Sequence, residues 1–498
     1  MPDAVVIGAG PNGLTAAATL ARAGVKTLLL EAQPLPGGAV RTAELTEPGF
    51  KHDVGAAFLD WAPVSPGLRA LDVAGAGFRW TNAPVDSAHL APDGTCGILT
   101  RDEARLRREM GADGEALAGL LAWRRDLGDR FGEVTLGALP LLGPALAAGP
   151  VTMARLGLSM LQSPARWSKR FATPAARRIV PQLALHADTG PDDAGGAAVG
   201  LGLALSGLDP GCIVPLGGAG ELTAALCKRL AEAGGELRCA TGAAKILVRG
   251  GAVAAVRTRG GDEIPCRAVL ADVTPWALCG GLVDERELPP LLVDGVRLFA
   301  HGWGTFKVDW SLDGPVPWTA PSARETAVVH LGGDLPELRA FTAQVRAGQL
   351  PEHPFCLVGQ QSLFDPSRAP PGKHTLWVYT HVPSTLPGGW DAAREGFADR
   401  LADEIERHAP GFRALVRRRA ISAPPDLEAM DENLVGGDLG GGTAKLRGQL
   451  VFRPAFPYFR YRMGVRGLYL CSASTHPGGG AHGACGYNAA RLALTDLG

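Results

Sequence analysis

The sequence predicts an α/β fold in which a Rossmann-like dinucleotide-binding domain is interleaved with a second, α+β domain of mixed sheet and helices. Three observations predict it. A strand, glycine turn, helix, strand and acid open the chain; a buried strand, glycine-dense loop and small-residue helix close it; and 498 residues exceed one ordinary core.

The opening unit reads as a strand from Ala4 to Ile7, the turn Gly8-Ala9-Gly10-Pro11-Asn12-Gly13, a helix to Gly24, a strand from Val25 to Leu30, and Glu31. Gly8 permits the tight turn, Gly10 lets the backbone approach a pyrophosphate, and Gly13 brings helix against strand, so that the helix N-terminus, opened by Pro11 and Asn12, faces the phosphates. Glu31 stands at about the twenty-residue spacing of a ribose-binding acid, which disfavours a 2′-phosphate. A glycine turn with no ligand is the bland alternative. Gly37-Gly38-Ala39-Val40-Arg41-Thr42 follows, and then Asp53-Val54-Gly55. A nicotinamide domain would continue into a crossover helix; here a second glycine turn delivers an arginine able to neutralise pyrophosphate charge, a pattern that favours FAD.

Residues 71 to about 205 read as largely helical. Within them Val134 to Ala154 carries no charge, and Pro140, Pro144, Gly149 and Pro150 break it, so a clean membrane-spanning helix is not expected. It is either an apolar lid or membrane-touching entrance, or ordinary buried helix and loop. Gly195 to Leu208 is a second uncharged run, leading to Pro215-Leu216-Gly217-Gly218-Ala219-Gly220 and a helix ending near Ala233. From Glu236 to Leu270, Gly250-Gly251 and Gly260-Gly261 punctuate short strands as in a small antiparallel sheet, before Val269 to Pro275 returns the chain to the first domain. Thr305 to Trp310 alternates like a strand. At the end, Gly467 to Cys471 is a buried strand, Ser472 to Gly483 a glycine-dense loop, and Ala484 to about Leu494 a helix. Its N-H groups can hold a ribityl-phosphate arm and, with the helix dipole, stabilise charge on a reduced flavin ring. Ser474, His476, Gly479, Gly480, Gly483 and Ala484 are the expected contacts there.

With 49 Lys and Arg against 50 Asp and Glu, dispersed along the chain, there is no electrostatic footprint for nucleic acid. The first apolar stretch is used as a strand and has no basic flank, so a secretory signal is not expected, and a cytoplasmic protein is. Nine cysteines include no C-x-x-C pair and no metal-like spacing, which supports neither a structural zinc nor a flavin-coupled disulphide. No second fingerprint for NAD(P)H follows, leaving oxygen, a quinone or another acceptor for the electrons.

The opening fingerprint, Gly37-Gly38 with Arg41-Thr42, the Pro215 to Gly220 turn and Thr475-His476-Pro477-Gly478-Gly479-Gly480 together resemble the phytoene desaturase and amine oxidase group of flavoproteins. Gly437-Asp438-Leu439-Gly440-Gly441-Gly442 and His482 to Asn488 are most similar to the branch named after pyridine nucleotide-disulphide oxidoreductase domain-containing protein 2. The resemblance implies a glutathione-reductase-type FAD domain from residues 1–70, 206–290 and 451–498, and a substrate domain from 71–205 and 291–450. It implies that a strand near Gly242 to Ile246 contacts adenine by its backbone, and that Lys307 matches the lysine that amine oxidases hold near flavin N5 through water. A solvent-facing strand lysine is the alternative. His482 is either a base near the ring or a loop-shaping residue; Cys485 is expected to pack rather than to bind flavin covalently. Ser472-Ala473-Ser474 replaces the family's acid after the last strand, leaving Ser474 or Thr475 as a neutral substitute. His330 and Asp438 are weaker pocket candidates.

The activity expected is hydride transfer to flavin N5 from a C-C or C-N centre of a small, largely apolar or conjugated substrate. Amine or imine oxidation with oxygen, a redox-neutral flavin-dependent isomerase and a non-catalytic flavoprotein-like binding protein are the alternatives. A peripheral membrane contact is what the membrane-touching reading of the uncharged run implies, with buried helix and loop as its alternative; the oligomeric state is left open.

Overall fold

A computed structural model describes residues 1–498. A five-stranded parallel sheet runs in the order Leu468–Leu470, Ala268–Ala271, Ala4–Ile7, Thr27–Leu30, Glu236–Arg238. The opening strand lies at its centre and every residue of it is buried, which is why it reads as an unbroken apolar run. Ala4 and Val6 face a core shared with helices Pro11–Arg22, Gly220–Glu232 and Ala484–Leu497. Val5 and Ile7 face a second core under an antiparallel sheet of Ala243–Arg249, Ala252–Thr258 and Glu263–Pro265. The expected antiparallel unit is therefore shorter than 236–270. Glu236–Arg238 instead extends the parallel sheet beside Thr27–Leu30.

The first and last helices pack closely because a glycine faces a carbonyl: a Cβ on Gly486 would lie 1.8 Å from the Asn12 oxygen. Both N-termini thereby come to the same place.

The second sheet has seven strands, ordered Val416–Ser422, Gly304–Leu312, His374–Val382, Cys356–Gly359, Thr326–Leu331, Val85–Leu90, Cys96–Leu99. It is mixed, since Val85–Leu90 and Thr326–Leu331 pair in parallel while their neighbours are antiparallel. Cross-strand partners share a face. Val308, Val329, Val358 and Val378 look toward Phe397, Leu401 and Ile405 of helix Arg394–His408 in an apolar core. The opposite face carries Ser87, His89, His330, Tyr379, His381 and Lys307.

The segment 71–205 is less uniformly helical than expected. It begins with strands Trp80–Asn82, Val85–Leu90 and Cys96–Leu99, and only from Glu103 is it helix after helix. The uncharged run spans the end of helix Arg130–Leu136, then Leu142–Ala148 and the start of Pro150–Met160. It is not ordinary buried structure: no residue of Leu142–Ala148 is buried, and Leu142, Leu146, Val151, Leu158 and Leu161 are exposed. No helix is long and apolar enough to cross a membrane.

Candidate functional site

Between the two sheets lies a cavity of about 850 Å³. One part is walled by the glycine turns of the first domain, the rest by the polar face of the seven-stranded sheet and by helices Arg130–Leu136, Pro150–Met160 and Gly196–Leu208.

Of the residues expected to hold a cofactor, Gly10, Pro11, Asn12, Gly55, Ser474, His476, Gly479 and Gly480 line the cavity. The others stand behind it and shape the cradle. Gly8 has φ +93°, and a Cβ on Gly13 would meet the Gly8 oxygen at 1.9 Å, so the turn closes only without side chains. Glu31 accepts the Ala9 N-H at 2.7 Å and the Gln33 N-H at 2.8 Å, tying the turn to the end of the second strand. The Gly37 N-H is bonded to the Ala9 carbonyl, and Arg41 Nε donates to the Gly38 carbonyl at 2.9 Å, which leaves its terminal nitrogens without a protein partner. Thr42 donates to Asp53 and accepts the Gly220 N-H, holding the 215–220 turn in place. Gly483, at φ +63°, starts the last helix against Thr15.

Three polar side chains on this wall are buried without partners: Asn12 Oδ1, Ser474 Oγ and both ring nitrogens of His476. Burial, with Arg453 beside it, lowers His476 to about 4, so the ring is neutral at pH 7. Buried polar atoms are normally satisfied. These orphans, with two helix N-termini at one place, are what a ligand bearing phosphates and hydroxyls completes, and the residues fit FAD.

His482 lines the cavity, and its contacts are those of a loop-shaping residue. Its Nδ1 accepts the Ala484 N-H at 3.0 Å, its carbonyl accepts Ser65 Oγ-H at 2.6 Å, and burial lowers it to about 4. Lys307 is not the solvent-facing strand lysine of the alternative reading. The side chain is 3% exposed, so it does not face solvent, and it does not line the large cavity. It pairs with Asp309, two residues along the same strand, with His52 3.5 Å beyond. Burial would raise the Asp309 carboxyl, but Lys307 and His52 bring it below its usual range. Lys307 borders a small void, several of whose walls, Gly55, Trp377 and Tyr379 among them, are shared with the cavity. Cys485 is buried within the last helix, and all nine cysteines are free.

Several cavity residues carry no motif. Asp272 follows the strand Ala268–Ala271; its Oδ2 accepts the Gly13 N-H at 2.8 Å, and burial pushes it up to about 8. A protonated carboxyl there avoids repelling a neighbouring pyrophosphate. The signal for it was an acid directly after an apolar strand. Tyr379 and His381 come from His374–Val382, whose alternation of Trp377, Tyr379 and His381 with apolar residues is visible once that segment is read as a strand. Asp60 faces the cavity between Phe58 and Trp61 and is raised by burial to about 6. Nothing in its local sequence marks it. Arg453, fully buried, donates to the carbonyls of Gly440, Thr443, Gly448 and Ala473 and so fastens the 437–448 loop to the last strand's loop. Asp438 shapes that loop by accepting the N-H groups of Gly302, Gly440 and Gly442.

A family profile described as an NAD(P)-binding Rossmann-like domain matches residues 6–71. Along its whole length the chain is related to pyridine nucleotide-disulfide oxidoreductase domain-containing protein 2 of Mus musculus, 29% identical over 99% of this chain and 94% of that protein. A limonene dehydrogenase polypeptide of Castellaniella defragrans is 26% identical over 100% and 95%, and the lycopene-forming phytoene desaturase of Pseudescherichia vulneris 26% over the full length of both. Among solved structures the fold is similar to an oxidoreductase from Methanosarcina mazei (TM-score 0.64, 16% identity, 98% of this chain and 99% of that one) and to putrescine oxidase bound to putrescine (TM-score 0.61, 15% identity, 100% and 99%).

Proposed function

From that relatedness and the cradle's fit to FAD, we propose that the protein is a FAD-dependent oxidoreductase that removes hydride from a C-C or C-N centre of a small, largely apolar substrate. One observation carries the reading: a site with two helix N-termini and unpartnered buried polar groups opens directly into a largely apolar chamber. Bound FAD supplies a ring that accepts hydride. The chain's own residues bind, orient and keep water out. Gly10, Pro11 and Asn12 present the first helix to the pyrophosphate, with Glu31 on the ribose side and Arg41 opposing phosphate charge. Ser474, His476, Gly479 and Gly480 border the arm and ring, and His482 fixes the start of the last helix so that its N-H groups aim at the ring. Lys307, paired with Asp309 beside a small void that shares Gly55, Trp377 and Tyr379 with the cavity, would act on the ring through water, as a charge fixed in place.

The division we propose assigns 1–70, 206–290 and 451–498 to FAD, and 71–205 with 291–450 to substrate. The origins of the two large sheets support it. Desaturation of an apolar substrate is the first reading, because Leu136, Leu139, Met153, Leu156 and Met160 wall the chamber. Amine oxidation is the second, favoured by the inward carboxyl of Asp60. The helices 142–148 and 150–160 separate the chamber from an exposed leucine surface. No Asp or Glu occurs from Val134 to Ala187, while Arg155, Arg166, Lys169 and Arg170 do. That combination supports a peripheral contact with an anionic bilayer through which an apolar substrate enters.

The test is an absorbance spectrum of the purified protein followed by anaerobic titration with polyenes, amines and cyclic imines. Bound flavin bleached near about 450 nm by one class assigns the reductive half-reaction. Protein that cannot be loaded with FAD refutes the proposal, and bound flavin reduced by none of them points to isomerisation.

A further inference from the structure

His186, just after helix Pro174–Ala184, meets His330 of strand Thr326–Leu331 Nε2 to Nε2 at 2.7 Å. At that distance the two nitrogens share one proton, one donating and the other accepting. His330 is held rigidly: it is buried and stacked on His89 with ring centroids 4.3 Å apart, and His89 is bonded in turn to Gln182 at 2.9 Å and Ser87 at 3.2 Å. Two tautomeric arrangements of the neutral pair satisfy the contact: His186 donates and its Nδ1 is a bare acceptor, or His330 donates and His186 Nδ1 carries the proton.

His186 lines the chamber, and its Nδ1 has no partner within the protein. His330 Nδ1 and His381 Nε2, on rings of the same wall, are buried and likewise unpartnered. The surrounding wall is apolar, with Leu183, Leu357 and Trp377. A chamber serving a bare hydrocarbon gains nothing from this cluster and bears the cost of its unpaired nitrogens.

We infer that this histidine wall is the head-group site of the chamber, taking a neutral oxygen function, a hydroxyl or a ketone, on an otherwise apolar molecule, with His186 Nδ1 as its hydrogen-bond partner. The inference rests on the chamber being the substrate site of the oxidoreductase proposed above. Two features select a neutral oxygen. Burial holds His89, His186, His330 and His381 below the usual imidazole range, so no imidazolium awaits a carboxylate. Asp188, on the same wall and bonded to Thr443 and to the Ala444 N-H, adds a carboxyl that an anionic head would meet. An ammonium head has a better partner in Asp60, whose nearest wall residues are different. The two tautomers of the His186–His330 pair match both neutral functions, one accepting from a hydroxyl and the other donating to a ketone.

The test is calorimetric binding to the FAD-loaded protein, using 1-octanol, 2-octanone, 1-chlorooctane, octanoate and octylammonium as probes of one chain length. Flavin absorbance reports loading separately, so failure to load refutes the oxidoreductase reading without bearing on the ranking of probes. The expected result is that 1-octanol and 2-octanone bind about tenfold more tightly than 1-chlorooctane, the factor of one good hydrogen bond in a dry site. His186→Phe brings both down to the 1-chlorooctane level, and His186→Asn, which keeps a donor and an acceptor, retains part of the preference. Unchanged 1-chlorooctane affinity certifies that the variant's chamber is intact, and the wild-type ranking needs no variant. Equal binding of octanol and chlorooctane, tightest binding of octanoate or octylammonium, binding of none, or a preference that survives His186→Phe would each overturn the inference.

Discussion

Gly10 and Gly13 look alike in the fingerprint but answer to different neighbours. A Cβ on Gly13 would collide with the Gly8 carbonyl at 1.9 Å, backbone against backbone, whereas one on Gly10 would lie 3.0 Å from a side-chain oxygen of Asp272. Gly13→Ala is therefore expected to destabilise the fold by about 2–4 kcal/mol, read as a lowered Tm. Gly10→Val should give folded but colourless protein, and stoichiometric FAD in that variant would remove the proposed pyrophosphate site. Asp272 gives the pH dependence its sign. Its carboxyl is raised to about 8, and a neighbouring pyrophosphate favours the protonated form further. FAD affinity is expected to fall as pH rises through about 8 and to hold steady below it. Asp272→Asn keeps an acceptor for the Gly13 N-H and should flatten that dependence, measured as FAD Kd from pH 6.5 to about 9.

Among the elements, the seven-stranded sheet and the leucine hairpin decide what the chamber can hold. Alternation gives the sheet one largely apolar face, against helix Arg394–His408, and one face with imidazoles, a phenol and an ion pair. The hairpin of 142–148 and 150–160 does the reverse of a buried helix pair, turning Leu142, Leu146, Leu158 and Leu161 outward while Met153, Leu156 and Met160 face the cavity. Exposed leucines in such number fit the peripheral membrane contact proposed above. Co-sedimentation with phosphatidylglycerol-containing vesicles is the measurement. Wild-type protein is expected to bind, and L142Q with L146Q and L158Q to lose most binding with little change in Tm, because these side chains make few packing contacts. Binding indifferent to the leucines would leave the hairpin as a lid alone.

At the scale of the molecule, the two sheets have separate cores, and the cavity lies where they meet. A ligand spanning that gap binds the folded chain and not the unfolded one. Saturation at about a thousand times Kd then adds about 4 kcal/mol. FAD is expected to raise Tm by several degrees in a concentration-dependent way, checked by thermal melts of apoprotein with added FAD. A Tm indifferent to FAD would contradict the cradle.

By itself the sequence determined the parts whose physics is local. Tight turns need Gly8, Gly13 and Gly37, helix starts need their glycine loops, and a buried parallel strand needs its apolar run, so the fold class and most of the cradle were legible at both ends of the chain. The tertiary structure alone decided what depends on residues far apart meeting. Lys307 is neither on the surface nor on the large cavity: it is buried with Asp309 beside a small void. His482 spends its Nδ1 lone pair on the helix it starts. The uncharged run is divided between two surroundings, because Pro140 and Gly149 fold it into a hairpin with Leu142 and Leu146 outward and Leu136, Leu139 and Met153 on the cavity. His186 and His330 are 144 residues apart in the chain and share one proton in space, a contact that no periodicity or spacing encodes.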